Sequence, residues 1–274
     1  MPTATPETDA DLPPVPRAAA DLGRDLDAAL ARGELRVVYQ PIVALADGRV
    51  LGAEALLRWT HPTRGEVLPT AFVAAAERSG AIVAIGRFVL RTACRDAAAW
   101  RHATGDAPFV TVNVSHRQLL DPAFPDDVRD ALRDAGLPPA ALTLELVETR
   151  ARASVATLAR ALDAVRATGV RVAFDDFGTG FAALGDLARL PVDVLKLPRP
   201  FVASLPGDDT VARAILAIAR ALGLDVVAEG VEDAAQAARL RALGCARAQG
   251  FLFARPMPAD RVAATLRERA VACA

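Results

Sequence analysis

The sequence predicts an α/β fold, a (β/α)8 TIM-barrel-like domain with an antiparallel first hairpin, and three observations predict it. Eight short apolar, β-branched runs alternate with longer Ala/Leu/Arg stretches of helical period. Only Leu45-Ala46-Asp47-Gly48 separates the first two runs, and its Asp-Gly reads as a hairpin turn, so that pair is expected to run antiparallel. Gly136, Gly169, Gly223 and Gly244 each follow a helical stretch, where a left-handed cap is expected before the next strand. The length of 274 residues suits a single barrel, for which about 250 is typical. A doubly wound open sheet is the alternative, but no GxGxxG follows the early strands.

In chain order, residues 1–18 read as a disordered tail. Met1 to Pro16 is rich in Pro, Ala, Asp and Thr and lacks the apolar stretch of a secretory signal. Residues 19–274 are expected to form one domain. The expected strands are Leu35 to Val43, Arg49 to Leu57, Phe109 to Val114, Leu142 to Val147, Val170 to Phe174, Val192 to Leu197, Leu224 to Ala228, and Ala246 to Phe251. Thr70 to Ser79, Ile82 to His102, Pro125 to Ala135, Arg152 to Ala167, Asp209 to Leu222, Ala234 to Leu243 and Ala259 to Ala270 carry the helical period between them. Ala71 to Leu90 is the longest apolar region, but Glu77, Arg78 and Arg87 interrupt it, which excludes a membrane span.

With 32 basic and 33 acidic residues interspersed and a net charge of −1, no basic stripe is available for a nucleic-acid polymer, so any nucleotide ligand is expected to be small. Cys94, Cys245 and Cys273 are odd in number and widely spaced, which fits inert thiols in a reducing compartment and argues against zinc. A soluble, cytoplasmic protein is expected.

Active sites of such barrels lie at the carboxyl ends of the strands. Asp175-Asp176 ends one apolar run and is followed by Phe177-Gly178-Thr179-Gly180. Adjacent carboxylates repel unless a cation lies between them; the plainer alternative is a solvated turn. The other strands end in Gln40, Glu54, Asn113, Glu145, Lys196, Glu229 and Gln249. Carboxylates inside apolar runs are costly without a partner, and convergence on a metal removes that cost. Only oxygen ligands are on offer, which points to Mg²⁺ or Mn²⁺. Lys196 is the only lysine among 32 basic residues, so its position calls for a compact ammonium rather than a guanidinium fork. His61, His102 and His116 are expected to be surface or cap residues.

These motifs, in this order, resemble the EAL-domain family, bacterial phosphodiesterases of cyclic di-GMP signalling. Tyr39-Gln40-Pro41-Ile42-Val43, Glu54-Ala55-Leu56-Leu57-Arg58-Trp59, Val112-Asn113-Val114-Ser115 and Leu144-Glu145-Leu146-Val147-Glu148 carry the first half of the resemblance. Asp175-Asp176-Phe177-Gly178-Thr179-Gly180, Ala228-Glu229-Gly230-Val231-Glu232 and Gln249-Gly250-Phe251 carry the second, and together they span roughly Leu22 to Arg267. The resemblance implies that Glu54, Asn113, Glu145 and Asp175 hold one metal, and that Asp176 with bridging Asp175 and nearby Glu229 completes a second site. It implies Glu229 as general base and Lys196 as the group that holds its water. Gln40 and Arg58 would contact the phosphate side of the ligand, Gln249 would order the site, and Glu148 and Glu232 would anchor the loop after Asp176. Mg²⁺ or Mn²⁺ would activate, Ca²⁺ would inhibit, cyclic di-GMP would open to the linear dinucleotide pGpG, and the protein would be a homodimer.

Three departures bear on activity. The family's Lys-Ile-Asp is Lys196-Leu197-Pro198 here, the Thr two residues after the metal-binding Glu is Val147, and the loop continuation Tyr-Ser-Ser is Phe181-Ala182-Ala183. None removes a metal ligand, the base or the lysine. Two functions follow: a phosphodiesterase of reduced activity, or a degenerate domain that binds cyclic di-GMP or a protein partner without efficient hydrolysis.

Overall fold

Strands buried on both faces need a neighbour on each edge, and closure into a barrel supplies one to every strand. The computed structural model describes residues 25, 26, 28–147, 154–178 and 184–268. Its strands are β1 (Leu35–Ala44), β2 (Val50–His61), β3 (Gly65–Val67), β4 (Phe109–Val114), β5 (Leu142–Val147), β6 (Arg171–Asp175), β7 (Val194–Leu197), β8 (Asp225–Ala228) and β9 (Arg247–Ala248). They form one sheet in the order β1-β9-β8-β7-β6-β5-β4-β2-β3, and the pairing of β1 with β2 closes the barrel. β1 is antiparallel to both β2 and β9, whereas the steps from β2 through β4 round to β9 are all parallel. The expected antiparallel hairpin is present, and β1 is the inverted strand.

Between the strands lie α1 (Pro69–Ser79), α2 (Ala81–Thr104), α3 (His116–Leu119), α4 (Phe124–Ala135), α5 (Val155–Arg166), α6 (Leu184–Leu187), α7 (Arg199–Ala203), α8 (Thr210–Leu222) and α9 (Ala234–Ala242), with α10 (Ala259–Glu268) last. Gly136, Gly169, Gly223 and Gly244 all adopt positive φ, at 64°, 90°, 71° and 85°, as the sequence requires after a helix. Among the described residues no helix is long and apolar enough to cross a membrane.

Three sequence expectations need correction. β3 is a ninth strand, three residues long, that pairs back on β2 and prolongs it to His61, past the expected end at Leu57. His61 is therefore a strand residue and buried, not a surface or cap group: its Nε2 lies 3.1 Å from Asp25 Oδ2, and its Nδ1 accepts the Thr63 N–H. The last apolar run is strand only over Arg247–Ala248, because the chain turns at Gln249 and packs against the segment after β8: Val231 N–H donates to Gln249 O at 3.1 Å. The tail 1–18, Glu148 and the stretch 179–183 lie outside the described residues, as does the side chain of Val147.

Side chains alternate along each strand, so the barrel interior is built in layers two residues apart. Ile42, Ala173, Val194 and Val227 form one buried cluster with Phe109 against it. Two positions nearer the mouth are Gln40, Asp175, Lys196 and Glu229. A larger apolar layer fills the space between sheet and helices, where Tyr39 meets Trp100 edge-on at 4.9 Å and donates its hydroxyl to Asp96 Oδ2.

Gly52 of β2 faces Phe109 of β4, and a Cβ there would collide with the Phe109 carbonyl oxygen and lie 2.8 Å from Cγ of its ring. G52A should destabilise the protein by about 2–3 kcal/mol, the usual cost of overpacking. Scanning calorimetry should then show Tm lower by roughly 5–10 °C. An unchanged Tm would mean that β2 and β4 separate at no cost.

Candidate active site

The apolar plug ends where Lys196 begins. Val194 and Lys196 both point inward from β7, and Lys196 lies only 1% exposed beneath the barrel mouth. An ammonium buried alone would lose its proton or unfold the strand. Four carboxylates from other strands prevent this. Lys196 Nζ lies 2.5 Å from Glu229 Oε1, 2.8 Å from Glu145 Oε2, 3.5 Å from Glu54 Oε2 and 3.6 Å from Asp175 Oδ2. Burial pulls the lysine pKa down, but these four charges outweigh it and raise the pKa well above the ordinary value.

The carboxylates respond unequally. Burial pushes Glu54 up, yet the Lys196 ammonium and amide donors reverse that and hold it below the usual range. Those donors are Gln249 Nε2, at 2.6 Å from Glu54 Oε2, and Asn113 Nδ2, at 2.7 Å from Oε1. Glu145 is raised well above its ordinary value by burial, opposed by Lys196 and reinforced by Glu54 and Asp175. Burial likewise takes Glu229 to about 8 against the pull of Lys196. Gln249 Nε2 also reaches Glu229 Oε1 at 3.3 Å, while its own Oε1 is buried and without a hydrogen-bond partner.

Successive residues of a strand point to opposite faces, so Asp175 and Asp176 would diverge if β6 continued. Asp176 instead adopts φ 58°, the left-handed region, the only non-glycine with positive φ among the described residues. Its N–H donates to Asp175 Oδ1 at 2.8 Å. The reversal brings one oxygen from each of Asp175, Asp176 and Glu229 within 4.8 Å of one another, the only such acidic, His or Cys trio among the described residues.

A cavity of about 300 Å³ opens above this trio, lined by Gln40, Glu54, Asp175, Asp176, Glu229, Glu232 and Gln249 among the residues expected from sequence. Glu145 and Lys196 lie beneath its floor. Asn113 borders instead a neighbouring apolar cavity of about 540 Å³ between β2, β4, α1 and α2. Arg58 lines neither; it donates to Leu57 O at 2.8 Å and lies 3.9 Å from Glu66 Oε1 of β3. Glu232 is ion-paired to Arg199 at 2.7 Å. Sequence reasoning overlooked Arg199 and Phe251, which also line the cavity. Phe251 stood within a recognised motif but drew no role, and Arg199 is one arginine among many. Pro198, at φ −65°, leads into α7, a turn its ring favours.

Residues 23–256 match the family model described as the EAL domain. An uncharacterized protein of Mycobacterium tuberculosis is 46% identical over 247 residues, covering 87% of this chain and 80% of that protein. The cyclic di-GMP phosphodiesterase NbdA of Pseudomonas aeruginosa is 43% identical over 237 residues, covering 85% of this chain and 30% of NbdA. The solved structure of the PaMucR phosphodiesterase in its c-di-GMP complex has a TM-score of 0.83 and 41% identity, covering 88% of this chain and 99% of that one. The matched span runs from ahead of β1 to beyond Phe251 and so includes each strand that brings a carboxylate, amide or ammonium to the barrel mouth: the chain belongs to the EAL domain family.

Proposed function

We propose that this chain is a metal-dependent phosphodiesterase that hydrolyses cyclic di-GMP to linear pGpG. The convergence of Asp175, Asp176 and Glu229 above Lys196 carries the reading, and relatives named as cyclic di-GMP phosphodiesterases supply the substrate. Residues 19–274 would act as one cytoplasmic domain, paired as a homodimer.

The donor set fits hard divalent cations. Five carboxylates and one ammonium leave a formal charge of −4 when all are ionised, which two divalent ions would neutralise. The unpartnered Gln249 Oε1 offers one more oxygen beside them. Glu54, Asn113, Glu145 and Asp175 would hold one Mg²⁺ or Mn²⁺, and Asp175 with Asp176 would hold the other, with Glu229 nearby. Bound ions would make water more acidic and neutralise charge on the phosphoryl oxygens.

The chain's own residues do the rest. Glu229 accepts the proton of the attacking water as that oxygen bonds to phosphorus and the ester oxygen leaves to become the ribose hydroxyl. Lys196, 2.5 Å away, fixes the Glu229 carboxylate and holds the water. Gln40, hydrogen-bonded to Ala254 O at 3.2 Å, sits on the cavity wall to meet the phosphate side, and Arg58 reaches it on leaving Glu66. Glu232, and Glu148 outside the described residues, would anchor the loop that Asp176 begins.

Purified protein with Mg²⁺ or Mn²⁺ should convert cyclic di-GMP to pGpG, resolved by ion-exchange chromatography, while Ca²⁺ should support binding without turnover. E229Q should cost roughly 10²–10⁴ in kcat, and E54A should bring activity to background. Tight binding with no product in Mg²⁺ or Mn²⁺ would overturn the hydrolase reading in favour of a receptor. K196M tests the central cation separately: losing one partner of a buried ionic cluster should cost about 3–5 kcal/mol. Differential scanning fluorimetry in EDTA should show that loss, and Mn²⁺ should raise Tm more in K196M than in the native protein. Equal melting in EDTA would show that the carboxylates do not depend on Lys196.

A further inference from the structure

The first three strands form an antiparallel ribbon that runs outward from the cavity. Gln40 faces Glu54 on the cavity wall, and four residues further along each strand Arg36 faces Arg58. Side chains alternate along a strand, so all four leave the ribbon on one face. Two like charges directly opposite one another repel. Glu66 relieves this repulsion from β3. It lies opposite Thr60, two residues on from Arg58, and so shares their face. Its Oε2 accepts a hydrogen bond from Arg36 Nη2, and its Oε1 lies 3.9 Å from Arg58 Nε. Burial lowers the Arg58 pKa, Glu66 opposes this more than any other charge, and Arg36 adds to it. The Arg58 side chain is only 14% exposed, whereas Arg36 and Glu66 are about half exposed.

A carboxylate and a phosphodiester make the same demand on a guanidinium, so Arg58 cannot serve Glu66 and a bound phosphate equally. We propose that Glu66 is an internal competitor for the substrate phosphate: it holds Arg58 off the cavity until cyclic di-GMP displaces it. Glu66 is thus a positioning residue that sets substrate affinity through Arg58 and leaves the chemical step alone. Arg36 keeps the exchange reversible, because Glu66 retains one guanidinium partner when Arg58 departs. The inference rests on the cyclic di-GMP reading above, with Arg58 as a phosphate contact.

Isothermal titration of cyclic di-GMP in Ca²⁺ and steady-state kinetics in Mn²⁺ test it on the full chain. E66Q should lower Kd about two- to fivefold, the range of one partly exposed ion pair, with the gain in kcat/KM falling mainly in KM. R58Q should raise Kd, and adding E66Q to R58Q should bring no gain. A gain that persists in the double variant would mean that Glu66 repels the ligand directly, which overturns the competition. So would native binding with the Kd of E66Q unchanged or higher, or with the Kd of R58Q unchanged; the cyclic di-GMP reading would survive each of these. Absence of binding by the native protein overturns both the competition and that reading.

Discussion

Much of the barrel mouth depends on the ammonium of Lys196. Its four carboxylate neighbours come from β2, from β5, from β6 and from the residue after β8, so one charge ties five strands together, its own included. A guanidinium is planar and donates in fixed directions, whereas an ammonium can sit among carboxylates at 2.5 to 3.6 Å on several sides. That difference gives a physical reason for the single lysine in a chain that otherwise uses arginine. It also divides the carboxylates: Glu54, with two amide donors as well, stays ionised, while Glu145 and Glu229 retain protons more readily.

The layer beneath makes this arrangement possible. Ile42, Ala173, Val194 and Val227 exclude water below the charged layer, and strand alternation fixes the spacing between the two. The inversion of β1 matters here. Because β1 runs opposite to β2, Gln40 precedes Ile42 in sequence yet lies on the mouth side of it, opposite Glu54 in the ladder. A parallel first strand would have carried a residue following Ile42 to that level instead.

What was legible in the sequence follows the same physics. β4 and β5 have the bounds that their apolar runs predict, because burial on both faces leaves a continuous hydrophobic signal. The polar residues that end those runs were legible because burial makes them costly. β3 was not, since Gly65-Glu66-Val67 has no periodicity and forms only by pairing with β2. The error at His61 follows from that. The same short strand draws Arg58 aside through Glu66, although Arg58 follows Glu54 by four residues on one strand and should share its face. Phe251 and Arg199 were missed because exposure and cavity position are tertiary facts that no local pattern encodes.

The departure at Pro198 reads differently once its neighbours are in place. The family pattern would put a carboxylate there, at a mouth already crowded with acidic groups. Proline removes that charge and, with φ fixed near −65°, starts α7 so that Arg199 follows at once. The Arg199 stem packs directly on Gly230, where a Cβ would lie 2.8 Å from the arginine Cβ, and its head group pairs with Glu232. Gly230, at φ 65°, immediately follows Glu229, so the proline-led turn braces the backbone of the residue proposed as base. The substitution thus exchanges one negative charge for a stiffer support beneath Glu229, a change of means that leaves the carboxylate trio intact.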